Sequence, residues 1–323
     1  MEGKVSVVVT CYNHEEYIEE CLRSIFAQTY QNIELLVFND GSTDNSGKII
    51  EEVLKESPFV GETYYFSSEN RGIVAVRNDA LTKIKGEFLL FVDSDNFINP
   101  KHINYLQKAL VKEAADIAYC QLWDFVHGKN VLRDDLDYNL SKELTGNLID
   151  ASSLVRTSKL SGLKFDASLD NKALEDYDFW LAMILLKQAK SIFVKETKLN
   201  YRVLDDSRTD RGNWDKYYQS YFYILDKYVD LIPKEIIQAL KNNINIWLKG
   251  YEDLEKRVNE KETAIREKDM HIANFQSEVA LLKDKLHNQE KDLAEKTQLV
   301  KAFEKSFFYK LYKKRLKVKD IKE

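Results

Sequence analysis

The chain has 323 residues, 44% apolar and 12% aromatic, a globular composition long enough for one sizeable core plus an appendage. A formal net charge of −5 argues against general nucleic-acid binding. Cys11, Cys21 and Cys120 lack metal-ligand spacing and are odd in number, so neither a disulfide framework nor a zinc site is supported and a reducing cytosol is the natural setting; no signal peptide is legible, and no apolar run approaches the ~20 residues that span a bilayer.

Residues 5–9 are a β-branched run followed by the polar stretch Thr10, Cys11, Tyr12, Asn13 and His14. Tyr17, Ile18, Cys21, Leu22, Ile25 and Phe26 then fall at i, i+3, i+4 spacing, which predicts strand, polar loop and helix. Residues 33–38 repeat the plan, closed by Asn39, Asp40, Gly41, Ser42, Thr43 and Asp44, a mixture of turn formers and helix caps. A helix to about residue 55, a short strand at 64–66 and a helix from Asn70, Arg71 and Gly72 through Lys83 follow. Phe88, Leu89, Leu90, Phe91 and Val92 form an unbroken apolar strand of the kind buried on both faces of a sheet, and Asp93, Ser94, Asp95 and Asn96 come immediately after it. Pro100 suits the first turn of the next helix. Strands alternating with helices in this way predict an α/β fold, a mostly parallel sheet with helices on both faces.

In a parallel sheet all carboxyl ends lie together, so Thr10 with Tyr12, Asp40, and Asp93 with Asp95 converge on one side, where open α/β sheets place ligands. Paired carboxylates there suit Mg²⁺ or Mn²⁺ holding a phosphorylated substrate, although the same Asp-Ser-Asp-Asn cluster also serves as an ordinary turn and cap. Tyr12 offers an aromatic face for a base or is simply packed. Asp40 offers an acceptor for an imide N–H or is a turn residue, and Arg77 beside Asn78 reaches an anionic group or is a solvated helix charge.

Residues 116–122 read as a strand, and the stretch 123–150 is irregular, with charges at Arg133, Asp134, Asp135 and Asp137. From Leu174 a helical stripe of Leu174, Tyr177, Leu181, Ile184 and Leu185 is expected to be buried. Asp176 and Trp180, four apart, share another face. They form a sugar platform in which the indole stacks and the carboxylate takes a proton, or Asp176 merely complements the helix dipole.

After Pro233 the character changes. Ile237, Ile244, Tyr251, Val258, Ile265, Ile272, Val279, Leu286, Leu293 and Val300 recur every seventh residue, the period of a coiled coil. The d positions are mixed, with Leu240, Trp247, Leu254, Phe275, Leu282 and Phe303 apolar but Lys261, Lys268, Gln289 and Lys296 polar. β-branched residues at a favour a parallel homodimer, and the polar d positions leave a trimer open. Beyond Phe303, Phe307, Phe308, Leu311, Tyr312 and Leu316 lie among Lys310, Lys313, Lys314, Arg315, Lys317 and Lys319, a basic amphipathic helix that fits an anionic membrane surface or docks on a partner.

The runs VSVVVTCYNHEEYIEECLRSIFAQTYQNIELLVFNDGSTDNS, ENRGIVAVRNDAL and GEFLLFVDSDNFINP together resemble the family 2 inverting glycosyltransferases with the GT-A nucleotide-sugar-binding fold, over about the first 115 residues. The resemblance implies that Asp40 contacts the uracil of a UDP-sugar with Thr10 and Tyr12 beside it, and that Arg77 lies near the nucleotide. Asp93 and Asp95 would be the DxD motif, Asp95 binding Mn²⁺ or Mg²⁺ and Asp93 lying toward the ribose and the metal's waters. Glu175 and Asp176 match the ED motif, which makes Asp176 the base that deprotonates the acceptor hydroxyl, with Asp178 as fallback. An ordinary Asp pKa of ~3.9 is low for that task and requires late proton transfer. Two departures stand out: Asn39 replaces the usual Asp, and Leu204 stands where the family often has a His after Tyr201 and Arg202. Asp205 or Asp206, or pyrophosphate and water, would then complete the metal's shell, and Arg202 and Arg208 would neutralise phosphates.

The expectation is a cytoplasmic glycosyltransferase with a catalytic domain at 1–232, a coiled-coil stalk at 233–303 that forms a homo-oligomer, and a basic helix at 304–323 with peripheral membrane contact. It would act on a nucleotide-sugar donor and a glycan or lipid-linked acceptor. Two alternatives are a sugar-phosphate nucleotidyltransferase, for which TCYNHEE is not the expected phosphate loop, and a non-catalytic coiled-coil scaffold.

Overall fold

A computed structural model describes residues 3–132, 134–170, 172–203, 214–305 and 310–314. The first half alternates as β1 (Val5–Cys11), α1 (Ile18–Phe26), β2 (Ile33–Asp40), α2 (Ser46–Leu54), β3 (Thr63–Ser68), α3 (Ile73–Lys83) and β4 (Phe88–Asp93). The second half adds β5 (Phe97–Ile98), α4 (His102–Lys112), β6 (Ile117–Asp124), β7 (Lys129–Asn130), α5 (Leu140–Gly146), β8 (Leu154–Arg156), α6 (Glu175–Lys187), β9 (Ser191–Tyr201), α7 (Trp214–Lys227) and α8 (Lys234–Lys305). One sheet runs β3-β2-β1-β4-β8-β6-β9-β5, with β7 paired to β6.

The expected parallel arrangement holds from β3 to β4. Beyond β4 the sheet is mixed: β8 runs antiparallel to both β4 and β6, β6 and β9 are parallel, and β5 is antiparallel to β9. Register in the parallel half is set by burial on both faces, because each apolar side chain alternates between two cores. Val7, Val9, Leu35, Val37, Leu90 and Val92 pack toward Ile18, Leu22 and Ile25 of α1 and Ile50 of α2. Val8, Leu36, Leu89 and Phe91 face Val76 and Ala80 of α3 and Phe179, Trp180 and Met183 of α6. Each fully buried side chain of this size stabilises the fold by about 1.5–3 kcal/mol. The register sets Thr10 beside Asp93 and Cys11 beside Asn39, so the polar ends of β1, β2 and β4 emerge together.

A third core joins α6 to α7 through Leu144, Tyr177, Leu181, Tyr221, Ile224 and Tyr228. The chain divides into compact units at Met1–Lys241 and Asn242–Glu323. Ile237 and Leu240, read from the heptads as coiled-coil positions, pack instead into the third core of the first unit. In the second unit α8 continues as a helix whose heptad a residues from Val258 to Val300 are exposed. The side chains of Ile244, Trp247 and Tyr251 lie outside the described residues, as do Arg133, residues 204–208, Phe307, Phe308, Arg315, Leu316, Lys317 and Lys319. Among the described residues no helix is long and apolar enough to cross a membrane.

Candidate active site

The loops after β1, β2 and β4 enclose a cleft of about 750 Å³ with the start of α3 and Tyr201 at the end of β9. Thr10, Tyr12, Asp40, Asp93 and Asp95 all line it. Local hydrogen bonds fix these loops to one another. Asn13, in the left-handed region at φ 53°, accepts from Thr43 N at 2.7 Å and donates its own N–H to Ser42 Oγ at 3.0 Å. His14 N donates to Ser46 Oγ at 2.9 Å, and its Nδ1 shares a 2.7 Å hydrogen bond with Ser94 Oγ, inside the Asp-Ser-Asp loop. Thr10 is nearly buried, whereas Tyr12, also lining the cleft, is 46% exposed.

Asp40 is buried, and its two oxygens accept from the backbone N–H groups of Arg71 at 2.8 Å and Gly72 at 2.9 Å. It therefore clamps the loop leading into α3, and its remaining lone pairs stay with a residue that lines the cleft. Gly72 is required here: φ is +84°, and an added Cβ would stand 2.3 Å from Asp170 Oδ2.

Arg77 does not line the cleft. It is 1% exposed, donating to Asp93 Oδ1 at 3.0 Å and to Glu175 Oε1 at 3.1 Å, with its guanidinium 5.5 Å from the Phe91 ring and 5.6 Å from Phe165. The expected nucleotide contact is thus a buried tie between β4 and the first turn of α6. Two carboxylates pair with the cation through its two terminal nitrogens, which is how a buried guanidinium is held, while its Nε has no hydrogen-bond partner among the described residues.

Glu175 and Asp176 open α6 directly after Leu174, a non-glycine residue at φ 72°. A left-handed residue of this type costs roughly 1–2 kcal/mol, and such strain concentrates at functional sites. The Asp176 carboxyl is pushed up to about 7 by burial, with the neighbouring charges of Glu175 and Asp150 adding to the effect and Arg77 opposing it. Its Oδ1 accepts from Tyr177 N at 2.8 Å. The ordinary carboxylate pKa assumed from sequence therefore does not apply, and Asp176 is matched to general-base work near neutrality. Asp150, pushed up to about 6 by burial and by Asp93, completes a group of four acids around Arg77. Sequence reasoning passed over it. Its signal was an acid directly after the apolar pair Leu148 and Ile149, the pattern that marked Asp93.

Other expectations are corrected. Trp180 is fully buried and packs edge-on against Phe179 at 5.3 Å, so it offers no sugar platform. Both oxygens of Asp178 accept from Lys227 Nζ at 2.9 Å, which removes the fallback base. Arg202 is committed to protein groups: its Nε donates to the Asp95 carbonyl at 3.0 Å, it pairs with Glu20 at 2.6 Å, and it stacks on Tyr17 and Phe125. Its backbone N–H also donates to Asn96 Oδ1 at 2.9 Å, so Arg202 fastens the chain after β9 to the Asp95 loop.

Among the described residues no three His, Cys, Asp or Glu side chains form a metal cage. Asp93 and Asp95 nevertheless line the cleft, and their carboxylates are hard oxygen donors. One or two carboxylates with substrate phosphates and water is the usual shell of Mg²⁺, so these residues fit a divalent cation.

The sheet order and a cleft at the carboxyl ends of β1, β2 and β4 define a GT-A domain. Residues 6–170 match the family described as Glycosyl transferase family 2, and the chain belongs to it. It is 42% identical over 125 residues to glycosyltransferase GlyA of Streptococcus pneumoniae serotype 4, covering 39% of this chain and 18% of that protein. With GlyG of the same organism it shares 33% identity over 147 residues, 45% of each chain. These matches span less than half the length of the curated relatives. The fold resembles the crystal structure of S. aureus TarS 1-349 in complex with UDP, with a TM-score of 0.53 and 25% identity over 62% of this chain and 61% of that one.

Proposed function

We propose that the protein is a metal-dependent inverting glycosyltransferase that moves a sugar from a UDP-sugar to a hydroxyl of a glycan or lipid-linked acceptor, in the cytoplasm, during surface polysaccharide synthesis. The observation that carries this reading is the single guanidinium of Arg77, which joins Asp93 of the cleft to Glu175 beside Asp176. Donor-side and base-side carboxylates are thereby held on one rigid tie, as a displacement at one carbon requires. The UDP complex of the similar TarS domain supports the choice of nucleotide.

In this reading Tyr12 stacks on the base, Thr10 and Asp40 border it, and Asp93 and Asp95 would hold Mn²⁺ or Mg²⁺. When bound, the cation supplies Lewis-acid stabilisation of the departing nucleotide. Asp176, ionised, takes the proton of the acceptor hydroxyl as its oxygen closes on the anomeric carbon from the face opposite the leaving group. Arg77 keeps Asp93 and the start of α6 in register throughout.

Calorimetric titration of the protein with UDP and Mn²⁺ tests the donor site. Binding that disappears with chelator and in Asp95→Ala is the expected result. Absence of binding by folded wild-type protein refutes the UDP assignment and favours the scaffold reading.

A further inference from the structure

The second unit exposes a continuous apolar stripe. Val258, Ile265, Ile272, Val279, Leu286, Leu293 and Val300 are each about half exposed, from 47% at Val258 to 66% at Leu293. In proteins most of a helix's stability comes from packing an amphipathic face rather than from propensity. The ion pairs within it, Glu262 with Arg266 at 3.7 Å and Asp292 with Lys296 at 2.6 Å, are exposed i,i+4 pairs worth little each. A strict seven-residue apolar period demands a partner helix of the same period.

We propose that this partner is a second copy of the same chain, aligned parallel and in register as a two-stranded coiled coil through residues 254–303 of α8. The charges flanking the stripe select that arrangement. In a parallel pair each g residue meets the e residue five positions later on the other helix. The charged pairs this generates are Arg257 with Glu262, Glu278 with Lys283 and Lys285 with Glu290, and each joins opposite signs. An antiparallel pair would set e against e, and five of the eight e positions from 255 to 304, Glu255, Glu262, Asp269, Glu290 and Glu304, are acidic, the others being Gln276, Lys283 and Thr297.

The polar d residues fit the same geometry. Lys261 and Lys268 are each followed at e by an acid, Glu262 and Asp269. In a two-stranded seam a lysine at d lays its stem across the interface and brings its ammonium to the acid of the second copy. A three-stranded core encloses d positions more completely and leaves those ammonium groups without water. Valine and isoleucine at a also favour two strands.

The test is independent of any enzymatic activity. Sedimentation equilibrium of the full chain should give twice its mass of 37.8 kDa, and Ile272→Asp should return the mass of one chain without loss of the first unit's far-UV signal or melting transition. Glu278→Lys should weaken self-association severalfold, and Glu278→Lys with Lys283→Glu should restore it. Orientation is read by oxidation. Val258→Cys, at a near one end of the stretch, should cross-link to a dimer on non-reducing gels, because an antiparallel pair would hold its two copies about 60 Å apart at 1.5 Å per residue, whereas Ser277→Cys, on the outer face, should not. The native cysteines do not interfere because Cys11, Cys21 and Cys120 are buried. A monomeric wild type, a mass three times that of the chain, failure of the charge swap to restore association, or absence of cross-linking through position 258 would each overturn the proposal.

Discussion

Replacing Arg77 by Met keeps the apolar stem between Phe91 and Phe165 and removes only the charge. In the native protein the guanidinium is 1% exposed and bridges Asp93 at 3.0 Å and Glu175 at 3.1 Å. Removing one partner of a buried ion pair costs about 3–5 kcal/mol, because the remaining charges are left uncompensated. That is a large share of the 5–15 kcal/mol that stabilises typical domains. Urea unfolding of Arg77→Met at pH 8 should show a loss of this size. The loss should shrink on acidification, since Arg77 opposes the rise of both Asp150 and Asp176, and without it both carboxyls rise further. A folded pKa raised above the unfolded value means that the native state binds more protons in the window between them, so the variant gains stability relative to wild type as pH falls. Repeating the titration at pH 5.5 measures that recovery. A loss under about 1 kcal/mol, equal at both pH values, would refute the claim that Arg77 holds these acids together.

The Asp176 carboxyl at about 7 predicts that kcat rises with pH through neutrality, and Asp176→Asn should lower kcat by about 10²–10⁴-fold with UDP binding unchanged; a flat profile between pH 5.5 and 8.5 would exclude this base. Asp178→Asn breaks the bonds to Lys227, so it should cost about 1–3 kcal/mol in unfolding free energy and leave kcat within twofold, and a catalytic defect at unchanged stability would contradict the assignment. His102 is fully buried, bonded through Nδ1 to Thr197 Oγ1 at 2.9 Å, and lowered by burial to about 4. Its stability contribution is fully present above the unfolded pKa of 6.5 and is lost as pH falls toward 4, roughly 3 kcal/mol in all at 1.36 kcal/mol per unit. His102→Gln should therefore flatten the stability profile across that window.

The parallel half of the sheet was legible because β1, β2 and β4 are apolar on both faces and end abruptly in polar loops. The mixed half was not, since β8 and β5 span only three and two residues and strand direction leaves no trace in so short a run. Thr10, Tyr12, Asp40, Asp93 and Asp95 converge because strand order and register alone bring them together. Arg77 was misplaced for the opposite reason: a charge on a helix reads as solvated, and Glu175, which neutralises it, lies 98 residues away. Trp180 failed through periodicity. Helix α6 is buried almost all round, so a four-residue spacing could not tell an open face from a packed one.

Asp93, Asp150, Glu175 and Asp176 share one guanidinium, and that imbalance links the elevated base to the donor side. Burial is the first cause of the two raised carboxyls, and repulsion among four carboxylates around one cation adds to it at the groups that the cation serves least. Arg77 bonds directly to Asp93 and Glu175, and Asp150 and Asp176 are the ones that rise. In the proposed reaction the proton leaving the acceptor hydroxyl arrives at Asp176, where it reduces the excess negative charge rather than creating a new one. The same guanidinium keeps Asp176 from being permanently protonated at neutral pH. Strength of the base and alignment of the Asp-Ser-Asp loop are therefore set by one residue, and neither can be tuned at Arg77 without moving the other.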